Sequence, residues 1–132
     1  MNDVSVRDWQ RASPTMLMGK SWDTHGPLGP WMACDPSLDP HNLQLTTRVN
    51  GEIRQESNTD DLIFDCFDIV HHLSTAFTLE PGTVIATGTP AGVGLYWDPP
   101  KMLAPGDEVS ITIDGIGTLT NPVVAEPHTQ LL

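Results

Sequence analysis

The amino-acid sequence predicts a β-rich α+β fold. Several short stretches place apolar residues at every second position, which is typical of half-buried strands. Glycine and proline, 11 and 12 of the 132 residues, separate these stretches with turns. Only one stretch repeats its apolar residues at helical spacing. We therefore expect roughly six strands, one clear helix and a single domain over residues 1–132.

Residues 11–42 come first and show little periodicity but many Gly-Pro and Asp-Pro pairs, so we expect a long ordered loop. Residues 43–49 alternate between apolar and polar side chains and predict a strand. Asn50-Gly51 favours a type I′ turn, because both of its residues adopt positive φ. Residues 52–56 are therefore expected to return as the second strand of a hairpin.

A helix is predicted after Asp65, whose carboxylate can accept hydrogen bonds from the free N–H groups of a first turn. The apolar residues of this helix recur three to four positions apart and define the face that we expect to be buried. That face comprises Phe67, Ile69, Val70, Leu73 and Phe77.

Residues 83–87 predict a buried strand that leads directly into the glycine-rich segment 88–94. Alternating apolar residues predict a further strand over 109–113. An Asp-Gly pair at 114–115 then favours a second hairpin turn, with its returning strand over 116–120.

The composition excludes some classes of partner. Seventeen acidic and six basic residues give a formal charge of -11, and the binding of nucleic acid or of an anionic membrane needs clustered Lys and Arg. The acidic excess favours solubility or the binding of a metal cation. Cys34 and Cys66 fit no metal-binding spacing, and we expect free thiols in a reducing, cytoplasmic location.

The polar cluster at residues 2–10 contains the first candidate site. Asp3 offers a hard oxygen ligand for Mg²⁺, Mn²⁺ or Ca²⁺. Arg7 could hold a carboxylate through two hydrogen bonds, and Gln10 could donate and accept. The alternative interpretation, which the spacing alone favours, is a helix start capped by Ser5 or Asp3.

Two further segments carry candidate residues. Lys20 lies in a loop with several glycines and prolines, where it could neutralise an enolate or a carboxylate, although a solvated lysine is equally expected. Residues 87–94 combine Thr89 with three glycines whose backbone N–H groups could approach an anion. A tight turn at a sheet edge is the alternative, and the segment lacks the Gly-Lys-Ser/Thr ending of a P-loop.

Taken in order, these segments resemble the fumarylacetoacetate hydrolase family. The resemblance rests on NDVSVRD at 2–8, GKSWDT at 19–24, PLGPW at 27–31, VNGE at 49–52, TLEPG at 78–82, TGTPAGVG at 87–94, PGD at 105–107 and GTLTNP at 117–122. It implies a β-rich roll of mixed sheet with few helices, usually dimeric.

The resemblance also implies roles for individual residues. It implies that Asp3 is a metal ligand, for Mg²⁺ or alternatively Mn²⁺ or Ca²⁺, and that Lys20 lies near the metal and substrate as the catalytic lysine. It implies that Arg7 and Gln10 line the substrate site and that Thr89 meets a substrate carboxylate. In this chemistry a metal chelates the 2-oxo acid and stabilises its enolate.

From the resemblance we expect a divalent-metal-dependent hydrolase of small 2-oxo acids, cleaving C–C bonds of acylpyruvates or fumarylpyruvate. The alternatives are an isomerase or decarboxylase of 2-hydroxymuconate-type acids, an oxaloacetate tautomerase or decarboxylase, and a non-catalytic remnant that pairs with intact homologues. The family's Glu-x-Glu metal ligands precede its Asn-Asp motif and have no counterpart here. We therefore expect a C-terminal portion, truncated at the N-terminus, that forms a homodimer or needs a complementary N-terminal segment.

Overall fold

Four antiparallel strands form a single sheet in residues 1–126, the part of the chain that this computed structural model describes. The strands are β1 (Gln44–Val49), β2 (Glu52–Asn58), β3 (Glu108–Ile113) and β4 (Gly117–Pro122). Their order across the sheet is β2-β1-β3-β4. The predicted β-rich class with few helices is confirmed.

Both predicted hairpins are present. Asn50 and Gly51 adopt φ angles of 51° and 82°, as a type I′ turn requires, and they join β1 to β2. Gly115, at 76°, lies in the turn between β3 and β4. The Asn50 side chain also binds the start of β3, because its Oδ1 accepts from the N–H of Glu108 at 2.9 Å and its Nδ2 donates to Asp107 Oδ1 at 2.8 Å.

The best-buried apolar side chains lie on the two central strands of the sheet. Val49 on β1 and Val109 on β3 are register partners and expose only 7% and 4% of their surface. Thr47, two residues before Val49, is buried on the same face. These residues form the floor of the cavity described below.

The helical content is small. Helix α1 (Arg7–Arg11) has five residues and helix α2 (Cys66–Ser74) has nine. Short 3₁₀ turns occupy Leu17–Gly19, Thr59–Asp61 and Gly94–Tyr96. In residues 1–126, no helix is both long and apolar enough to cross a membrane.

Helix α2 begins where the sequence predicts, but its expected burial is wrong. Asp65 Oδ1 accepts from the N–H of Asp68 at 2.8 Å, which confirms the cap. Phe67 is nevertheless 73% exposed and Ile69 only half-buried, and Phe77 lies beyond the helix end at Ser74 and is 53% exposed. The reason is tertiary: the extensive contacts between elements of residues 1–126 join strands to strands and α1 to the turn at Leu17–Gly19, and none involves α2.

The strand predicted over residues 83–87 is also wrong. These residues form no strand and are largely exposed, with only Ile85 half-buried. A β-branched run becomes a strand only when a neighbouring strand accepts its backbone hydrogen bonds. In the described residues no strand lies beside residues 83–87, so the sheet has four strands rather than about six.

Candidate functional site

Helix α1 is placed by its contact with Gly19 rather than by a side-chain cap. Val6, not Ser5 or Asp3, occupies the cap position and makes no side-chain cap bond, so the expected capping is wrong. The N–H of Val6 donates to the Gly19 carbonyl at 2.9 Å. A methyl group on Gly19 would overlap the Cβ of Gln10, so glycine allows the close approach.

This contact brings Lys20 beside Asp3. Lys20 Nζ lies 2.7 Å from Asp3 Oδ2, and the two side chains expose 35% and 44% of their surface. An ion pair of that exposure is screened by solvent and adds little to stability. Its importance is positional, because it fixes both charges at the edge of one cavity.

Arg7 and Gln10 are neighbours on α1, one turn apart. Arg7 Nη1 donates to Gln10 Oε1 at 2.7 Å. Arg7 lines the cavity, whereas Gln10 does not and lies behind it. The structure therefore places Gln10 as a support for the Arg7 guanidinium.

A β-bulge shapes the opposite wall of the cavity. Thr47 pairs with Gln55 and Arg48 with Ile53, so Arg54 is the extra, unpaired residue of β2. Adjacent residues of a regular strand point to opposite faces, but a bulge re-aims one of them. Consequently Arg54 and Gln55 both line the cavity.

The glycine-rich segment 88–94 lies directly against this bulge. Gln55 Nε2 is 2.9 Å from Thr89 Oγ1 and 3.0 Å from the Pro90 carbonyl. A methyl group on Gly92, which has a φ of +98°, would overlap the Arg54 carbonyl oxygen. Trp97 Nε1 donates to the Gly92 carbonyl at 2.9 Å from the other side. The segment is therefore held at both ends and places Thr89 on the cavity wall.

Two more cations, Arg54 and Lys101, line the cavity. Lys101 Nζ donates to Glu52 and lies 4.0 Å from the centre of the Trp97 ring. Arg54 Nε is 3.2 Å from Glu52 Oε2, without the alignment of a hydrogen bond. The Lys101 hydrogen bond, with a smaller contribution from Arg54, lowers the pKa of the Glu52 carboxyl.

The cavity has a volume of about 520 Å³, and the four cations of its wall outnumber the two carboxylates that pair with them, Asp3 with Lys20 and Glu52 with Arg54 and Lys101. Of the chain's six Lys and Arg residues, four line it: Arg7, Lys20, Arg54 and Lys101. Asp3 is the one carboxylate among the described residues of its wall. In a chain of charge -11, such a concentration of cations favours a small anion.

The described residues do not provide a divalent-metal site by themselves. Residues 1–126 contain no group of three or more His, Cys, Asp and Glu side chains that could hold an ion. Asp3 is alone on the cavity wall and is already paired with Lys20. Mg²⁺ and Ca²⁺ require six or more oxygen ligands, of which one carboxylate supplies too few.

The structure brings four of the five predicted site residues to one cavity. Asp3, Arg7, Lys20 and Thr89 line it, and Gln10 contacts it only through Arg7. Arg54, Gln55 and Lys101 also line the cavity, although no motif of the sequence predicts them as site residues. The two cations could have been predicted, because lysine and arginine are scarce in this acidic chain. Gln55 could not, because the alternation of apolar and polar residues in β2 does not reveal the bulge that brings it to the cavity.

Comparison with known proteins identifies the family to which the chain is similar. The fumarylacetoacetate (FAA) hydrolase C-terminal family matches residues 1–124. The chain is 46% identical to the oxaloacetate tautomerase YisK of Bacillus subtilis over 93% of its own length and 41% of that protein. It is 47% identical to the mitochondrial oxaloacetate tautomerase Fahd2a of Rattus norvegicus, over 93% of the chain and 40% of the relative. The chain thus spans about two fifths of the length of these relatives.

Solved structures agree. A 5-carboxymethyl-2-hydroxymuconate delta-isomerase from Mycobacterium smegmatis matches with a TM-score of 0.84 and 49% identity, over 94% of this chain and 46% of that one. A maleylpyruvate hydrolase from Sphingobium matches with a TM-score of 0.71 and 40% identity, over 80% of this chain and 38% of that one. The sequence match over residues 1–124 and these relatives show that the chain belongs to the fumarylacetoacetate hydrolase family, as part of its C-terminal region.

Proposed function

We propose that this chain forms the anion-binding wall of an enzyme that acts on a small 2-oxo acid. The observation that carries the proposal is the convergence of four of the six cations on one cavity. A 2-oxo acid has a carboxylate and an adjacent carbonyl oxygen, and both are acceptors for the donors that this wall presents.

Each predicted residue has a task in this proposal. The Arg7 guanidinium, oriented by Gln10, binds the substrate carboxylate through a charge-assisted contact. The Thr89 hydroxyl donates a further hydrogen bond to that carboxylate. Lys20, which Asp3 holds at the cavity edge, neutralises negative charge that develops on the 2-oxo oxygen during enolisation.

Tautomerisation of a 2-oxo acid is the reaction that the relatives favour. The relatives named oxaloacetate tautomerase are 46–47% identical to this chain. Hydrolysis of a C–C bond, the expectation from sequence, is the second candidate, favoured by the likeness to a maleylpyruvate hydrolase. Both reactions develop enolate charge next to the carboxylate, so the same wall serves either.

A divalent metal belongs to the proposal only with ligands from outside the described residues. Asp3 would contribute one carboxylate oxygen to Mg²⁺, Mn²⁺ or Ca²⁺, and the other ligands would come from a complementary segment or another chain. The homodimer and the cytoplasmic location expected from sequence remain part of the same proposal.

Titration of the purified 132-residue chain with oxalate, an enolate mimic, tests the anion-binding wall. We expect saturable chemical-shift changes in NMR spectra that involve Arg7 and Thr89, with a Kd of roughly millimolar strength. Arg7→Ala should weaken binding about tenfold or more, the value of a lost charge-assisted hydrogen bond. Arg11→Ala is the matched control, because Arg11 lies on the same helix but not on the cavity.

A second titration addresses the metal. Mg²⁺ added to the chain alone should bind weakly, because the described residues contain one suitable carboxylate on the cavity wall. Tight, stoichiometric binding that Asp3→Ala abolishes would instead show that ligands are shared between copies of the chain. Failure of oxalate to bind, with or without Mg²⁺, would sink the proposal and favour a non-catalytic remnant.

A further inference from the structure

We propose that Gln55 is a positioning residue that turns the Thr89 hydroxyl into a dedicated hydrogen-bond donor for the bound anion. This inference rests on the proposed function and deepens it, because it assigns a polarity to one contact of the anion-binding wall. Within residues 1–126, neither side chain hydrogen-bonds to a charged group.

The two contacts of Gln55 Nε2 fix the direction of both hydrogen bonds. A backbone carbonyl can only accept, so the atom 3.0 Å from the Pro90 oxygen must be the amide NH₂. The same nitrogen is 2.9 Å from Thr89 Oγ1, and that oxygen must therefore accept. A threonine hydroxyl has a single proton. With one lone pair engaged by Gln55, that proton is free to donate elsewhere.

The surroundings hold this arrangement in place. Gln55 lies beside the bulge of β2 and pairs with Thr47, which is buried. The backbone of Gly92 packs against the Arg54 carbonyl, so the segment that carries Thr89 lies directly against β2. Gln55 and Thr89 both line the cavity. The free proton of Thr89 is thereby preorganised within the anion-binding wall, which lowers the cost of orienting it on binding.

Two substitutions reverse or remove this control. Gln55→Glu exchanges the amide donor for a carboxylate, which accepts the Thr89 proton and adds a negative charge to the wall. Gln55→Ala removes the partner and lets the hydroxyl rotate among its alternatives. The first change should therefore weaken anion binding more than the second.

Oxalate titration of the full 132-residue chain, followed by NMR, provides the test. We expect Gln55→Ala to raise the Kd about fivefold and Gln55→Glu more than about tenfold, the range for one neutral and one charge-assisted hydrogen bond. Gln44→Ala and Gln44→Glu are the matched controls, because Gln44 lies on β1 of the same sheet and not on the cavity. They should change the Kd less than about twofold.

A double-mutant cycle separates positioning from a general structural role. In a Thr89→Val background, Gln55→Ala should change the Kd less than about twofold, because the hydroxyl that it orients is gone. An equal loss in both backgrounds would overturn the inference while leaving the proposed function intact. An unaltered chain that fails to bind oxalate overturns the proposed function, and this inference with it.

Discussion

The sheet and helix α2 differ in whether the apolar side chains that their sequence patterns predict as buried are in fact buried. In the sheet, the predicted alternation leads to buried side chains, with Val49 opposite Val109 on the two central strands. In α2, the predicted cap and helix form, yet Phe67 remains exposed, as does Phe77 just beyond the helix end. The segment 83–87 behaves like α2, since its strand-forming residues find no partner.

The difference teaches that forming an element and burying it are separate events. A helix makes its backbone hydrogen bonds within itself, so α2 needs no neighbouring strand to pair its N–H and C=O groups. A strand satisfies its backbone only beside another strand, and residues 83–87 consequently form none. The candidate site lies where tertiary contacts hold the elements together: β2, the glycine-rich segment and α1 converge there on one cavity.

The largest expected effect comes from separating the glycine-rich segment from the sheet. Gly92→Ala places a methyl group onto the Arg54 carbonyl, whereas Gly106→Ala has the same φ of +98° and open space around it. We expect Gly106→Ala to cost about 1–2 kcal/mol for its backbone conformation. Gly92→Ala should cost about 1–3 kcal/mol more, from overpacking, and weaken oxalate binding.

Urea unfolding of the two variants measures this difference. Equal losses in the free energy of unfolding would show that the segment does not need its close approach to β2. The region around the site would then depend on tertiary contacts no more than α2 does.

The next effect compares one side chain from each region. Val109→Ala removes two methyl groups from the best-buried position and should cost about 2 kcal/mol of unfolding free energy. Phe77→Ala removes a larger but half-exposed side chain and should cost less than about 0.5 kcal/mol. If denaturant unfolding finds Phe77→Ala as costly as Val109→Ala, the apolar side chains of α2 and of the segment that follows it are covered in solution, and the comparison fails.

The smallest expected effect is a pH dependence confined to the sheet. The N–H of Ala104, and next the amide of Asn50, lower the pKa of the Asp107 carboxyl. A lowered pKa in the folded state means that this contribution to stability is complete above the ordinary value of 3.8 and is lost as the pH falls below it.

Amide hydrogen exchange at a series of acidic pH values, corrected for intrinsic rates, checks this sign. Protection at the end of the sheet around Asn50 and Glu108 should fall below pH 3.8, while that of α2 should not follow it. Asp107→Asn should flatten the dependence. Loss of protection in α2 at the same pH would show that the two regions unfold together.

Much of the site could be predicted from residue types and their order. The sequence predicts Asp3, Arg7, Lys20 and Thr89 as site residues, and the structure brings all four to one cavity. Gln10 is expected on the same wall but does not line the cavity, and its amide oxygen instead accepts a hydrogen bond from Arg7. That distinction depends on how α1 is rotated against Gly19.

The sequence by itself determined both hairpin turns and the cap at Asp65, because each depends on neighbouring residues alone, and it located the segments that become the four strands. Tertiary structure decided the rest. Only strand pairing reveals the bulge that turns Arg54 and Gln55 to the same side, and only packing shows which apolar faces find a partner. Register and burial are properties of two surfaces in contact, and the periodicity of one segment describes only its own surface.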